Sequence, residues 1–103
     1  MDKQYRQGDV LLVKVTSLPH DAEAEKIDDK HIILAYGETT GHAHRLSTAY
    51  ATAYKWQGNR LIEVRQPSEL IHEEHNPINL PPGVYKVVLQ HEYSPSKISQ
   101  ILD

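Results

Sequence analysis

The chain has 103 residues, 39% hydrophobic and 24% charged, a size and composition suited to one soluble globular domain and to neither a second domain nor a disordered segment. Eleven Lys and Arg against fourteen Asp and Glu give a formal charge of -3, so no global basic field is available for generic nucleic-acid binding. With no cysteine, disulfides, thiolate zinc sites, iron–sulfur clusters and a cysteine nucleophile are excluded together, and any bound metal must take nitrogen and oxygen ligands.

The N-terminal Met1 to Gln7 has no apolar run for a signal peptide, and no stretch approaches the roughly 20 apolar residues of a membrane span; a cytoplasmic location without membrane association is expected. Val10 to Val15, after Gly8-Asp9, is a short β-branched run that predicts a strand. From Leu18 to Lys30 the acidic and basic residues mark a solvated surface segment, either a loop or a short helix capped by Asp21. His31 to Tyr36 reads as a second strand stopped by Gly37. Ala51 to Gln57 and Arg60 to Arg65 flank Gly58-Asn59, which predicts a two-residue hairpin turn. In the second arm Leu61, Glu63 and Arg65 alternate with Arg60, Ile62 and Val64, so that arm is expected to be half buried. Pro67 ends it. Ser68 to His75 reads as a further strand, Asn76 to Gly83 as a turn-rich connection, and Val84 to Tyr93 as the longest strand, followed by a tail or one helical turn over Lys97 to Asp103. The expected fold is mainly β, a single small antiparallel barrel or sandwich of about seven short strands spanning residues 1–103, with 94–103 as tail or short C-terminal helix.

Four of the seven histidines lie in two clusters, Gly41-His42-Ala43-His44 and His72-Glu73-Glu74-His75. Imidazole is the commonest protein ligand for transition metals, and two such clusters point to one divalent ion. Residues two apart on a strand share a face, so His42 and His44 can meet one ion together. His72 and His75, three apart, converge on a helical turn or at a bulge but diverge on a regular strand. On a regular strand His75 pairs with Glu73 and His72 with Glu74, which makes His75 a ligand and His72 a fourth ligand or an auxiliary group. Glu73, Glu74 and Glu92 are candidates for a carboxylate ligand or general base, with Glu73 preferred. Tyr50, Tyr54 and Trp56 serve either a small core or a ligand cleft. The serines lack a Gly-x-Ser-x-Gly elbow, and His-Glu-Glu-His is one residue short of the zinc-peptidase His-Glu-x-x-His.

The run Gly37 to His44, a histidine about thirty residues later, and Pro81-Pro82-Gly83-Val84-Tyr85 together resemble the metal-binding core of small single-domain cupins, over roughly residues 37 to 93. In that family an HxH pair, a glutamate and a later histidine hold one divalent metal inside a β-barrel. Here Arg45 to Ala49 lacks the glutamate, Lys86 stands where the last histidine often lies, and the later histidine precedes the proline–glycine turn. The Gly-Glu-Thr-Thr-Gly-His-Ala-His and Gln-His-Glu-Tyr-Ser-Pro segments are also similar to small uncharacterised proteins of bacteria and their phages. The expected ion is zinc, iron, manganese or nickel; if His72 also binds, the site is filled and structural, and if it stays outside, the open position permits hydrolysis or cupin-like oxygen chemistry on a small-molecule substrate. The competing expectation is a non-enzymatic binding or assembly module, in which an edge strand pairs with another copy and the histidines lie at the interface.

Overall fold

A computed structural model of the chain describes residues 3–37 and 39–90. The candidate Glu92, the end of the predicted last strand at His91 to Tyr93, and the tail or helix beyond it lie outside the described residues. Within them the fold is entirely β, with ten strands: β1 (Gln4–Gln7), β2 (Val10–Val15), β3 (Glu23–Ala24), β4 (His31–Tyr36), β5 (Ala43–Ser47), β6 (Ala51–Trp56), β7 (Asn59–Val64), β8 (Ser68–Leu70), β9 (Ile78–Leu80) and β10 (Gly83–Leu89). All pairings are antiparallel. They form a six-stranded sheet in the order β1-β2-β10-β7-β6-β3 and two two-stranded sheets, β4-β5 and β8-β9. An isolated bridge between Arg45 and Ile71 ties β5 to the residue after β8. No ladder among the described residues closes a barrel, and the strands outnumber the expected seven because β3, β8 and β9 are only two or three residues long.

One apolar core joins the sheets. Val10, Leu12, Ala51, Ala53, Ile62, Val64 and Tyr85 come from the large sheet, Ile32, Leu34 and Leu46 from β4-β5, and Leu70 and Leu80 from β8-β9. Each large side chain so buried contributes on the order of 2 kcal/mol, which allows such short strands to hold together.

The β6–β7 hairpin forms as expected, but its turn lies one residue earlier. Trp56 pairs with Asn59, so the loop is Gln57-Gly58, with φ of +49° and +77°. A tight two-residue turn that follows the strand twist needs positive φ at both positions; Gly58 supplies one without strain, and Gln57 takes the other. The second arm is also more buried than alternation predicts. Leu61 and Ile62 are both buried because β7 lies inside the sheet, between β10 and β6. Across the core edge, Arg60 donates twice to Glu25 at 2.9 Å and once to the Ile33 carbonyl at 2.6 Å, tying β7 to β4 and to the segment after β3. That segment contains no helix.

The largest departure concerns Ser68 to His75. The strand ends at Leu70, Ile71 exchanges two hydrogen bonds with Arg45, and the chain then leaves the ladder. There the Glu74 N–H donates to His72 Nδ1 at 3.0 Å, a local side-chain bond that competes with strand pairing. The Asn76 to Gly83 connection in turn contains β9, which pairs with β8.

Candidate metal centre

His44 sits on β5, opposite Ala35, just where the β4–β5 ladder shifts register. It is 4% exposed. His42 precedes the strand in a tight loop: its N–H donates to the Thr39 carbonyl at 3.0 Å and its carbonyl accepts from Gly37 N–H at 2.8 Å. Gly41, at φ +88°, provides the left-handed residue this reversal needs.

The excursion after Ile71 brings the second histidine pair back over the first. Because this segment is not a regular strand, both of its rings turn into the same cleft. The His72 ring centroid lies 4.3 Å from His44, 4.6 Å from His75 and 5.7 Å from His42. The ligand-capable atoms of His44, His72 and His75 all lie within 4.8 Å of one another, as do those of His42, His72 and Glu73. His72 belongs to both groups, so the strand-based division that made it auxiliary does not describe this geometry. The rings line a cleft of about 350 Å³, with Gly8, Asp9, Gly37 and Glu74 among its other walls.

Burial, reinforced by the neighbouring His72 and His75, pushes the His44 pKa down from 6.5 to about 4. Burial and His75 also lower that of His72. Near neutral pH His44 and His72 are therefore uncharged, the form of imidazole that binds metals. The folded state thus binds fewer protons than the unfolded chain between these values. For the metal-free protein, the His44 contribution is fully present above pH 6.5 and is lost as the pH falls toward about 4. It amounts to up to about 3 kcal/mol. Urea unfolding across this range is expected to show stability falling with pH, and His44→Gln should flatten the dependence.

Glu73 lies at the rim with both oxygens engaged. Oε1 accepts from the Ala43 N–H at 3.0 Å and Oε2 pairs with Arg45 at 2.7 Å. The Ala43 bond, followed by Arg45, holds its pKa down at about 2, so at neutral pH it is a charged anchor and a weak proton acceptor. A Glu74 oxygen lies 3.5 Å from His42 Nδ1, which is buried and makes no hydrogen bond.

Two glycines provide room for the rings. A Cβ at Gly8 would lie 2.7 Å from His75 Nε2 and 3.3 Å from His44 Cε1, and one at Gly37 would lie 2.9 Å from His72 Nε2. Gly8 also has φ +58°. Gly8→Ala is expected to lower unfolding free energy by about 1–2 kcal/mol through backbone strain and to weaken metal binding by displacing His75. Gly58→Ala is the control, since φ is +77° there but nothing lies within 4 Å. It should cost similar stability in chemical denaturation and leave titrated metal affinity unchanged.

Sequence reasoning missed Gln7, Gly8 and Arg45. None is a ligand type, and their roles depend on contacts across the chain: Gln7 reaches His44, and Arg45 reaches Glu73. A second cleft, of about 500 Å³, surrounds Trp56 at the β6–β7 tip and is lined by no histidine. There the indole N–H donates to Asp21 at 2.8 Å.

The chain belongs to the family described as a domain of unknown function, DUF8820, whose model matches residues 6–90 and so includes all four clustered histidines. No curated protein and no solved structure matches it.

Proposed function

We propose that this chain binds one divalent transition-metal ion through His44, His72 and His75, with His72 releasing the Glu74 N–H that occupies its Nδ1 lone pair, and uses it on a small molecule admitted to the adjoining cleft. The observation that carries this reading is the convergence of three imidazoles from two distant segments, with their ligand atoms within 4.8 Å of one another. Burial and the neighbouring rings lower the proton affinity of His44 and His72, and a metal ion gives these two rings the cation that protons are denied.

A set of three nitrogens suits zinc, iron, manganese or nickel and leaves coordination positions open. The cleft beside the three rings, lined by His42 and Glu74, would give a substrate room next to such an ion. An ion held in this way supplies Lewis acidity and an acidified water, or a site for dioxygen, so the reaction class is metal-assisted hydrolysis or cupin-like oxygen chemistry. His42 lines the same cleft beside Glu74 and lies outside the inner three. Glu73 fixes the ligand-bearing segment to β5 rather than acting as the base.

Metal analysis of protein purified without a histidine tag and reconstituted with zinc tests the reading. Close to one equivalent retained after desalting is expected. Retention of none contradicts it.

A further inference from the structure

We propose that Gln7 is the positioning residue of the histidine centre: its amide fixes His44 as the Nδ1–H tautomer, leaving Nε2 free for a metal, and clamps both ends of the segment carrying His72 and His75. Gln7 is the last residue of β1 and only 2% exposed. Its Nε2 donates to the Leu70 carbonyl at 2.9 Å and to the Asn76 carbonyl at 3.0 Å. Both partners can only accept, so the opposite amide orientation would set an oxygen against two carbonyl oxygens and lose both bonds. The orientation of the amide is thereby settled by its surroundings.

Its Oε1 then faces His44 Nδ1 at 2.9 Å. An amide oxygen only accepts, so Nδ1 must carry the hydrogen, and in a neutral imidazole the one remaining lone pair is on Nε2. Outer groups of this kind set the tautomer and aim of ligating histidines in metal sites generally. Gln7 does more. Leu70 and Asn76 bracket residues 71–75, so the same amide that orients the ligand on β5 pins the excursion bearing the other two. Gly8 follows directly and lets the backbone pass beside His75 without a side chain in the way.

The metal-affinity part of this proposal rests on the metal-binding reading above; the tautomer part does not. Two-bond ¹H–¹⁵N correlation spectra of metal-free, ¹⁵N-labelled protein above neutral pH report which ring nitrogen of His44 is protonated. The wild type is expected to show the Nδ1–H tautomer alone. Gln7→Met, which keeps the length and removes both hydrogen-bonding functions, should give a mixture and weaken zinc binding by roughly 10- to 100-fold. Gln7→Glu keeps an acceptor for His44 but turns an oxygen on Leu70 and Asn76, so it should retain the tautomer and lose affinity. A wild-type His44 protonated at Nε2 overturns the proposal, and this needs no variant to fold. So does a Gln7→Met protein with unchanged tautomer and zinc affinity. A wild type with the Nδ1–H tautomer that takes up no zinc would instead contradict the metal-binding reading and leave the tautomer control standing.

Discussion

His72→Ala is expected to abolish stoichiometric zinc binding, with affinity falling by more than the roughly 10- to 100-fold typical of outer groups. The His72 ring lies between its neighbours, 4.3 Å from His44 and 4.6 Å from His75, and it is shared by both groups of ligand-capable residues. Its removal therefore leaves no three-nitrogen set among the described residues. His44→Ala and His75→Ala should each be nearly as severe, whereas His42→Ala should leave a weakened but measurable site, because His42 stands outside the inner three. Ligand binding to the folded state alone stabilises it, by about 2.7 kcal/mol at a free concentration 100-fold above Kd. In a domain of this size that raises the melting midpoint by on the order of 10 °C. Calorimetric titration, paired with melting curves with and without zinc, should show both effects in the wild type and neither in His72→Ala. Equal zinc affinity in the two proteins would remove His72 from the site.

The second large effect is expected in the core. Tyr85 on β10 is fully buried, packs edge-on against Tyr5 with ring centroids 5.8 Å apart, and donates its hydroxyl to the Pro81 carbonyl at 2.6 Å. Burial, and secondarily Tyr5, pushes its phenol pKa up to about 12, so it remains a neutral donor across the working range. Tyr85→Ala removes the largest fully buried side chain among the described residues and should cost about 3–5 kcal/mol. That is a large share of the roughly 5–15 kcal/mol that holds an ordinary domain folded. Tyr85→Phe keeps the ring and leaves only the Pro81 carbonyl without its donor, a loss of about 1 kcal/mol. Urea denaturation separates the two. A Tyr85→Ala loss no greater than that of Tyr85→Phe would show that the ring is not packed as described.

Strands that carry their own apolar pattern were legible in the sequence. Val10–Val15 and His31–Tyr36 begin and end where their β-branched runs do, and the hairpin needed only a one-residue shift of its turn. Strands that depend on a partner were not. Gln4–Gln7 and Ile78–Leu80 are too polar or too close to proline to announce themselves, and they exist because β2 and β8 offer them a ladder. The same division applies to the site. The four histidines stand out by residue type and spacing. Whether the His72 and His75 rings face together depended on where the strand stops, and that is decided by the Arg45–Ile71 bridge and the His72–Glu74 turn bond, neither of which local pattern reveals. Gln7 was hidden for the same reason. An amide in a polar N-terminal segment acquires its role only when His44, Leu70 and Asn76 are brought around it.

X-ray absorption at the zinc K-edge of the reconstituted, untagged protein tests the central claim most directly, because it counts imidazoles on the ion itself. Three histidine nitrogens at about 2.0–2.1 Å, with one or two oxygen ligands completing the shell, are the expected result. A shell of oxygen ligands without the multiple-scattering signature of imidazole would contradict the assignment of His44, His72 and His75 as the metal ligands.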